Sequence, residues 1–87
     1  MPYQETSREA YHKVNLNAKQ IIVRNFFKYH PRQDFTNAEV AQALGWSINR
    51  VTPRTGELVK LGEIEVVSRR ACKVTGNMAL SKRYVSV

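Results

Sequence analysis

Between Ser47 and Gly62 the side chains able to form hydrogen bonds gather on one side of a helical projection. At about 100° per residue, Asn49, Arg50, Pro53, Gly56, Glu57 and Lys60 share one surface, flanked by Thr52 and Arg54. Val51, Thr55, Leu58 and Gly62 share the opposite side, with Ile48 and Val59 at its margin, and this side is expected to face a core. The polar surface is rich in amide, hydroxyl, guanidinium and ammonium donors, the groups that bind base edges and phosphates. Its chemistry is recognition without covalent change.

Residues that could do covalent or metal chemistry are sparse. Cys72 is the single cysteine, so no internal disulfide forms, and His12 and His30 have no partner at metal-ligand spacing. Cys72 reads as a small, half-buried residue of a hairpin. There is no glycine-rich phosphate loop and no Ser/His/Asp set that spacing would assemble, and the 7 carboxylates are scattered. No catalytic residue, metal or cofactor is expected.

The elements that must position the donor surface are signalled locally. Thr36 and Glu39 have capping-box spacing, and Phe35 with Val40 adds a hydrophobic staple across the same helix start. Val40, Ala41 and Leu44 form a narrow apolar stripe, and Gly45 can take the positive φ that ends the helix and turns the chain. Ser47 is placed to cap the next helix. Ile64, Val66 and Ser68 then alternate with Glu65, Val67 and Arg69, the pattern of a strand with one half-buried face.

In this stretch Leu44, Gly45, Ser47, Val51, Leu58, Gly62 and Ile64 resemble the pattern of the winged helix-turn-helix family. Thr6 to Tyr11 and Cys72 to Gly76 are similar to strings in short winged-helix proteins of bacteriophage and prophage genomes. The first resemblance covers roughly residues 17 to 87. It implies an α+β fold, a three-helix core with a C-terminal β-hairpin wing; before it, residues 1–16 are read as an N-terminal extension in which Thr6 or Ser7 can cap a short helix. It also implies a DNA-binding transcription regulator that places its third helix in the major groove.

Three residues depart from a regular recognition helix. Pro53 removes the amide that would bond the Asn49 carbonyl, a penalty of about 3 kcal/mol in a helix interior. The helix is therefore expected either to kink or to restart with Thr52 as cap. Gly56 weakens it by about 1 kcal/mol relative to alanine. Glu57 would repel phosphate unless it pairs with Arg54, which is the expectation.

Charge points the same way. The chain carries 14 Lys+Arg against 7 Asp+Glu, a net charge of +7, and +5 of it lies between Gly45 and Val87. Positive charge concentrated in the second helix of the motif and the wing is the electrostatic footprint of a nucleic-acid binder. Base contacts are assigned to Asn49 and Arg50, base or backbone contacts to Thr52 and Arg54, and phosphate contacts to Lys60, Arg69, Arg70 and Lys73. Thr36 and Ser47, at helix N-termini, can offer backbone amides to phosphate.

The rest of the chain supplies the frame. Asn15 or Asn17 is expected to cap a helix running to about His30, stopped by Pro31, with Ile22, Phe26 and Tyr29 facing the core beside Ile21 and Val23. Gln33 to Phe35 is read as a short strand. The return strand of the wing is placed at Lys82 to Val87, after a long connection over Arg69–Ser81 that turns at Thr75-Gly76-Asn77. Ala10, Tyr11 and Val14 would dock on the core or on a second protomer. No apolar run reaches membrane-spanning length, and Met1 is followed by PYQETSREAY rather than a signal peptide, so no membrane contact and a cytoplasmic location are expected. The expected partner is double-stranded DNA, bound as a monomer or a homodimer. A host protein partner is the alternative, with the fold serving as a phage inhibitor or replication accessory module, and a structured nucleic acid such as RNA is a third.

Overall fold

Asn17 opens the first helix of the described residues, α1 (Ala18–Lys28), through a reciprocal capping box. Its side chain accepts from the Gln20 amide at 2.9 Å, and the Gln20 side chain accepts from the Asn17 amide at 2.8 Å. The computed structural model describes residues 16–86. The expected N-terminal helix and the docking of Ala10, Tyr11 and Val14 therefore fall outside the described residues.

The inward face of α1 differs from the expected stripe. Gln20, Val23 and Phe27 are buried and Phe26, half-buried, packs against the core as expected, whereas Ile22 and Tyr29 are 45% and 73% exposed. Two apolar stripes overlap on this helix, offset by one residue, and local periodicity does not choose between them. The chosen one lets Gln20 reach Glu57 of the third helix, with its amide donating to Oε1 at 2.7 Å.

The second helix, α2 (Asn37–Leu44), begins and ends where its signals lie. Thr36 accepts from the Glu39 amide and Glu39 from the Thr36 amide, while Gly45 caps the other end at φ 71°. Phe35 packs against the core that contains Val40, in keeping with a staple. The third helix, α3 (Ile48–Lys60), buries Val51, Thr55 and Leu58, the side read as inward. It passes through Pro53 as one helix, so the restart capped by Thr52 does not occur. Packing of Val51 and Leu58 on either side of the proline holds both halves against the same core.

A two-stranded antiparallel hairpin follows, β1 (Ile64–Ala71) and β2 (Met78–Tyr84), in a register that runs from Ile64 opposite Tyr84 to Ala71 opposite Met78. The return strand thus starts four residues before the expected Lys82. The turn does fall at Gly76, which has φ 79°, closed by the Cys72 amide donating to the Asn77 carbonyl at 2.8 Å. A register shift between Val66 and Ser68 breaks the expected alternation, leaving Val66 exposed and Val67 half-buried. The short strand read at Gln33–Phe35 contracts to one bridge, with Phe35 and Lys82 exchanging backbone hydrogen bonds of 2.8 and 2.9 Å.

Among the described residues, three helices followed by a C-terminal antiparallel hairpin make the winged-helix arrangement. Val23, Phe27, Val40, Ala41, Val51, Leu58 and Ile64 form one core from all three helices and the first strand. Full burial of Phe27 or Leu58 contributes roughly 1.5–3 kcal/mol each. No helix among the described residues is long and apolar enough to cross a membrane.

Candidate nucleic-acid interface

The outward side of α3 begins at Ser47, which holds the N-cap position but makes no side-chain cap bond, unlike the expectation. Asn49, Arg50, Thr52 and Lys60 are exposed along it. The Arg50 guanidinium lies over the Trp46 ring, 4.7 Å from its centroid. Trp46 is half-buried and packs against the core.

Farther along α3, Arg54 is committed to Glu57, as expected from their spacing. Its Nε and Nη2 donate to the two carboxylate oxygens at 2.9 and 3.0 Å. These bonds, with the one from Gln20, hold the Glu57 carboxyl below its ordinary range. Glu57 is thus kept ionised, and its charge is offset by the Arg54 guanidinium.

Arg70 is committed more completely. Its Nε donates to Asp34 Oδ2 at 2.9 Å, its Nη1 to Glu39 Oε2 and the Ala71 carbonyl, and its Nη2 to Glu39 Oε1 and the Asp34 carbonyl. All five guanidinium donors are satisfied within the chain. Glu39 also accepts from the Thr36 and Lys73 amides, so its carboxylate both caps α2 and receives the hairpin. The Arg70 guanidinium first, then these amides, hold its pKa at about 2.

Thr36 is buried, 1% exposed, and its amide and hydroxyl are taken by Glu39 and by Cys72, whose sulfur lies 3.0 Å from the hydroxyl oxygen. Cys72 is fully rather than half buried, and the Thr36 contact lowers its pKa to about 7. Beside them, Asn37 Oδ1 accepts from the Thr55 hydroxyl at 2.8 Å and from Lys82 Nζ at 3.0 Å, and its amide reaches Thr52 at 3.4 Å. Lys82 is buried, and burial lowers its pKa.

A groove of about 400 Å³ separates the start of α3 from the hairpin, with Ile48 and Thr52 on one wall, Leu80 on the other, and Asn37 and Lys82 between them. Arg69 stands directly opposite Leu80 in the register and so shares its face of the hairpin. Lys73 lies in the connecting turn, and Arg69 and Arg70 lie in β1 within two residues of its end at Ala71.

The predicted residues therefore divide. Asn49, Arg50, Thr52, Lys60, Arg69 and Lys73 are exposed, and Ser47 is exposed at its helix start. Arg54 and Arg70 are engaged by carboxylates, and Thr36 is enclosed. Sequence reasoning missed Trp46, Asn37 and Lys82. Trp46 four residues before Arg50 was a legible signal, but the Asn37 and Lys82 contact, spanning 45 residues, was not. Among the described residues no cluster of three His, Cys, Asp or Glu could hold a metal ion. No protein-family model, curated protein or solved structure matches this chain.

Proposed function

We propose that this chain binds double-stranded DNA and regulates transcription, as the resemblance to short phage winged-helix proteins implies. The outward side of α3 enters the major groove, and the hairpin lies on the adjacent backbone or minor groove. The observation that carries this reading is the sorting of charge. Arg50, Lys60, Arg69 and Lys73 are exposed and have no carboxylate within ion-pair reach among the described residues. The carboxylates of the same half, Glu57, Glu63 and Glu65, are paired with Arg54, Arg24 and Arg83. Unpaired cations and neutralised anions on α3 and the hairpin favour a polyanion.

Binding to a mixed-sequence duplex, measured across salt concentrations, tests this. Three phosphate contacts, from Lys60, Arg69 and Lys73, give a log–log slope of roughly −3. No binding at low salt rejects the proposal. Selection from random duplexes then tests sequence preference.

A second reading, a protein-interaction module, is favoured by one feature. Ile48 and Leu80, 43% and 49% exposed, line the groove, and Val74 and Met78 of the hairpin are also exposed. Apolar groove walls suit a protein segment better than a sugar-phosphate chain. Loss of a partner protein on Leu80→Lys, with DNA binding absent in the parent, would establish it.

A further inference from the structure

We infer that Trp46 is a positioning residue for base reading, holding the Arg50 guanidinium in a fixed plane so that its donor edge reads guanine. This rests on the DNA reading of α3.

Arg50 stands where helix electrostatics offers it nothing. It is the third residue of α3, in the first turn, where the helix dipole disfavours a cation. No carboxylate holds it there, and none of its five N–H groups has a partner among the described residues. What holds it is the indole face. At 4.7 Å from the ring centroid, the guanidinium is within the range of a cation–π contact.

A guanidinium over an indole can lie flat on the ring, and its edge then stays free. The N–H groups all lie in the guanidinium plane, so a stacked arginine keeps the donor fork that pairs bidentately with guanine O6 and N7. The ring is itself immobilised. Trp46 packs against the core, and its amide donates to the Ala41 carbonyl at 2.9 Å in the turn after Gly45. A long, exposed side chain is thereby partly ordered before any ligand arrives, which reduces the entropy lost on binding.

The other arginines of this half lack the combination. Arg54 and Arg70 have their donors on carboxylates, and Arg83 lies 3.8 Å from Glu65. Arg69 is exposed and unpaired but has no aromatic plane beneath it. Among the described residues, Arg50 alone joins free donors to an aromatic ring beneath the cation.

The test compares the parent protein with Arg50→Ala, Arg50→Lys, Trp46→Leu and Trp46→Phe. A preferred duplex is selected with the parent, and affinities are then measured for single base-pair replacements. The expected result is a preference for guanine at one position of roughly ten- to a hundredfold. Arg50→Ala, Arg50→Lys and Trp46→Leu lose it at that same position, Trp46→Phe keeps most of it, and Trp46→Leu leaves the salt slope unchanged. Trp46→Leu keeping the preference, or weakening all positions alike, overturns the inference while leaving DNA binding intact. Absence of duplex binding by the parent defeats the DNA reading itself. A measurement on the free parent covers the case in which Trp46→Leu does not fold. The Arg50 side-chain protons should be shifted upfield by the indole ring in proton NMR, and unshifted values would overturn the inference without any variant.

Discussion

Two arginines of similar sequence appearance have opposite fates, and the difference lies in what surrounds each guanidinium. Arg70, with five donors on Asp34, Glu39 and Ala71, fastens the hairpin to the start of α2, whereas Arg50 has only an indole face. Arg70→Ala should cost roughly 2 to 4 kcal/mol in urea unfolding, because it leaves the largely buried Glu39 carboxylate without its cation. Its effect on the salt slope of DNA binding should be negligible, while Lys73→Ala lowers that slope by about 1. A slope that falls with Arg70→Ala would show that this guanidinium reaches phosphate. Lys82 poses the reverse case, a buried ammonium whose hydrogen bonds go to the neutral Asn37 amide and, at 3.4 Å, the Leu80 carbonyl. Its folded pKa lies below the unfolded value, so the folded state disfavours the proton. Stability should rise as pH climbs through the window between the folded value and about 10.5. Lys82→Met should remove that rise, as thermal melts from pH 7 upward would record.

At the scale of the element, α3 is built against its own propensity. Pro53 denies the Asn49 carbonyl its intrahelical donor, and Gly56, where an added Cβ would meet nothing within 4 Å, has no internal reason to be glycine. Both lie on the exposed side. Gly56→Ala should therefore stabilise the protein by about 1 kcal/mol in chemical denaturation, and Pro53→Ala by about 2 kcal/mol once a less restricted unfolded chain is allowed for. Impaired DNA affinity in the stabilised double variant would mark the pair as shaping the docking surface, and unchanged affinity would mark them as neutral. The α2 start shows an element signal with two uses. The Thr36/Glu39 box that specifies the helix also brings Glu39 to Arg70 and the Lys73 amide, and Thr36 to Cys72.

Across the whole molecule, the hairpin is joined to the helices by charge as well as by core. Glu39 with Arg70 links it to α2, and Arg24 with Glu63 links α1 to the residue before β1. Within the helices, Glu57 joins Arg54 and Gln20. Glu39 and Glu57 both titrate below the ordinary carboxylate range, so the stability they contribute is present above about 4.5 and is lost as pH falls through their folded values, about 2 for Glu39. Circular dichroism melts should show Tm falling between pH 4.5 and 2, and Glu39→Gln should flatten that fall. A Tm independent of pH over this window would refute the role given to these carboxylates.

What the sequence determined by itself is local. The start of α2 at its capping box, its end at Gly45, the inward side Val51/Thr55/Leu58 and the turn at Gly76 each depend on residues within one or two turns of chain, which is the range over which caps, periodicity and positive φ act. The Arg54–Glu57 pair was legible for the same reason. Tertiary structure decided what needed a distant partner. It chose Gln20/Val23/Phe27 over Ile22 and Tyr29 on α1, with Phe26 at the core's edge, because both stripes satisfy the helical period and only packing separates them. It set the bulge at Val66/Ser68 and the early start of β2, since register is fixed by which residues must meet across the sheet. It also withdrew Arg70 from the expected surface, because the carboxylates that bind it approach from more than thirty residues away, and it enclosed the Thr36 hydroxyl against Cys72, whereas the Thr36 amide is taken locally by Glu39.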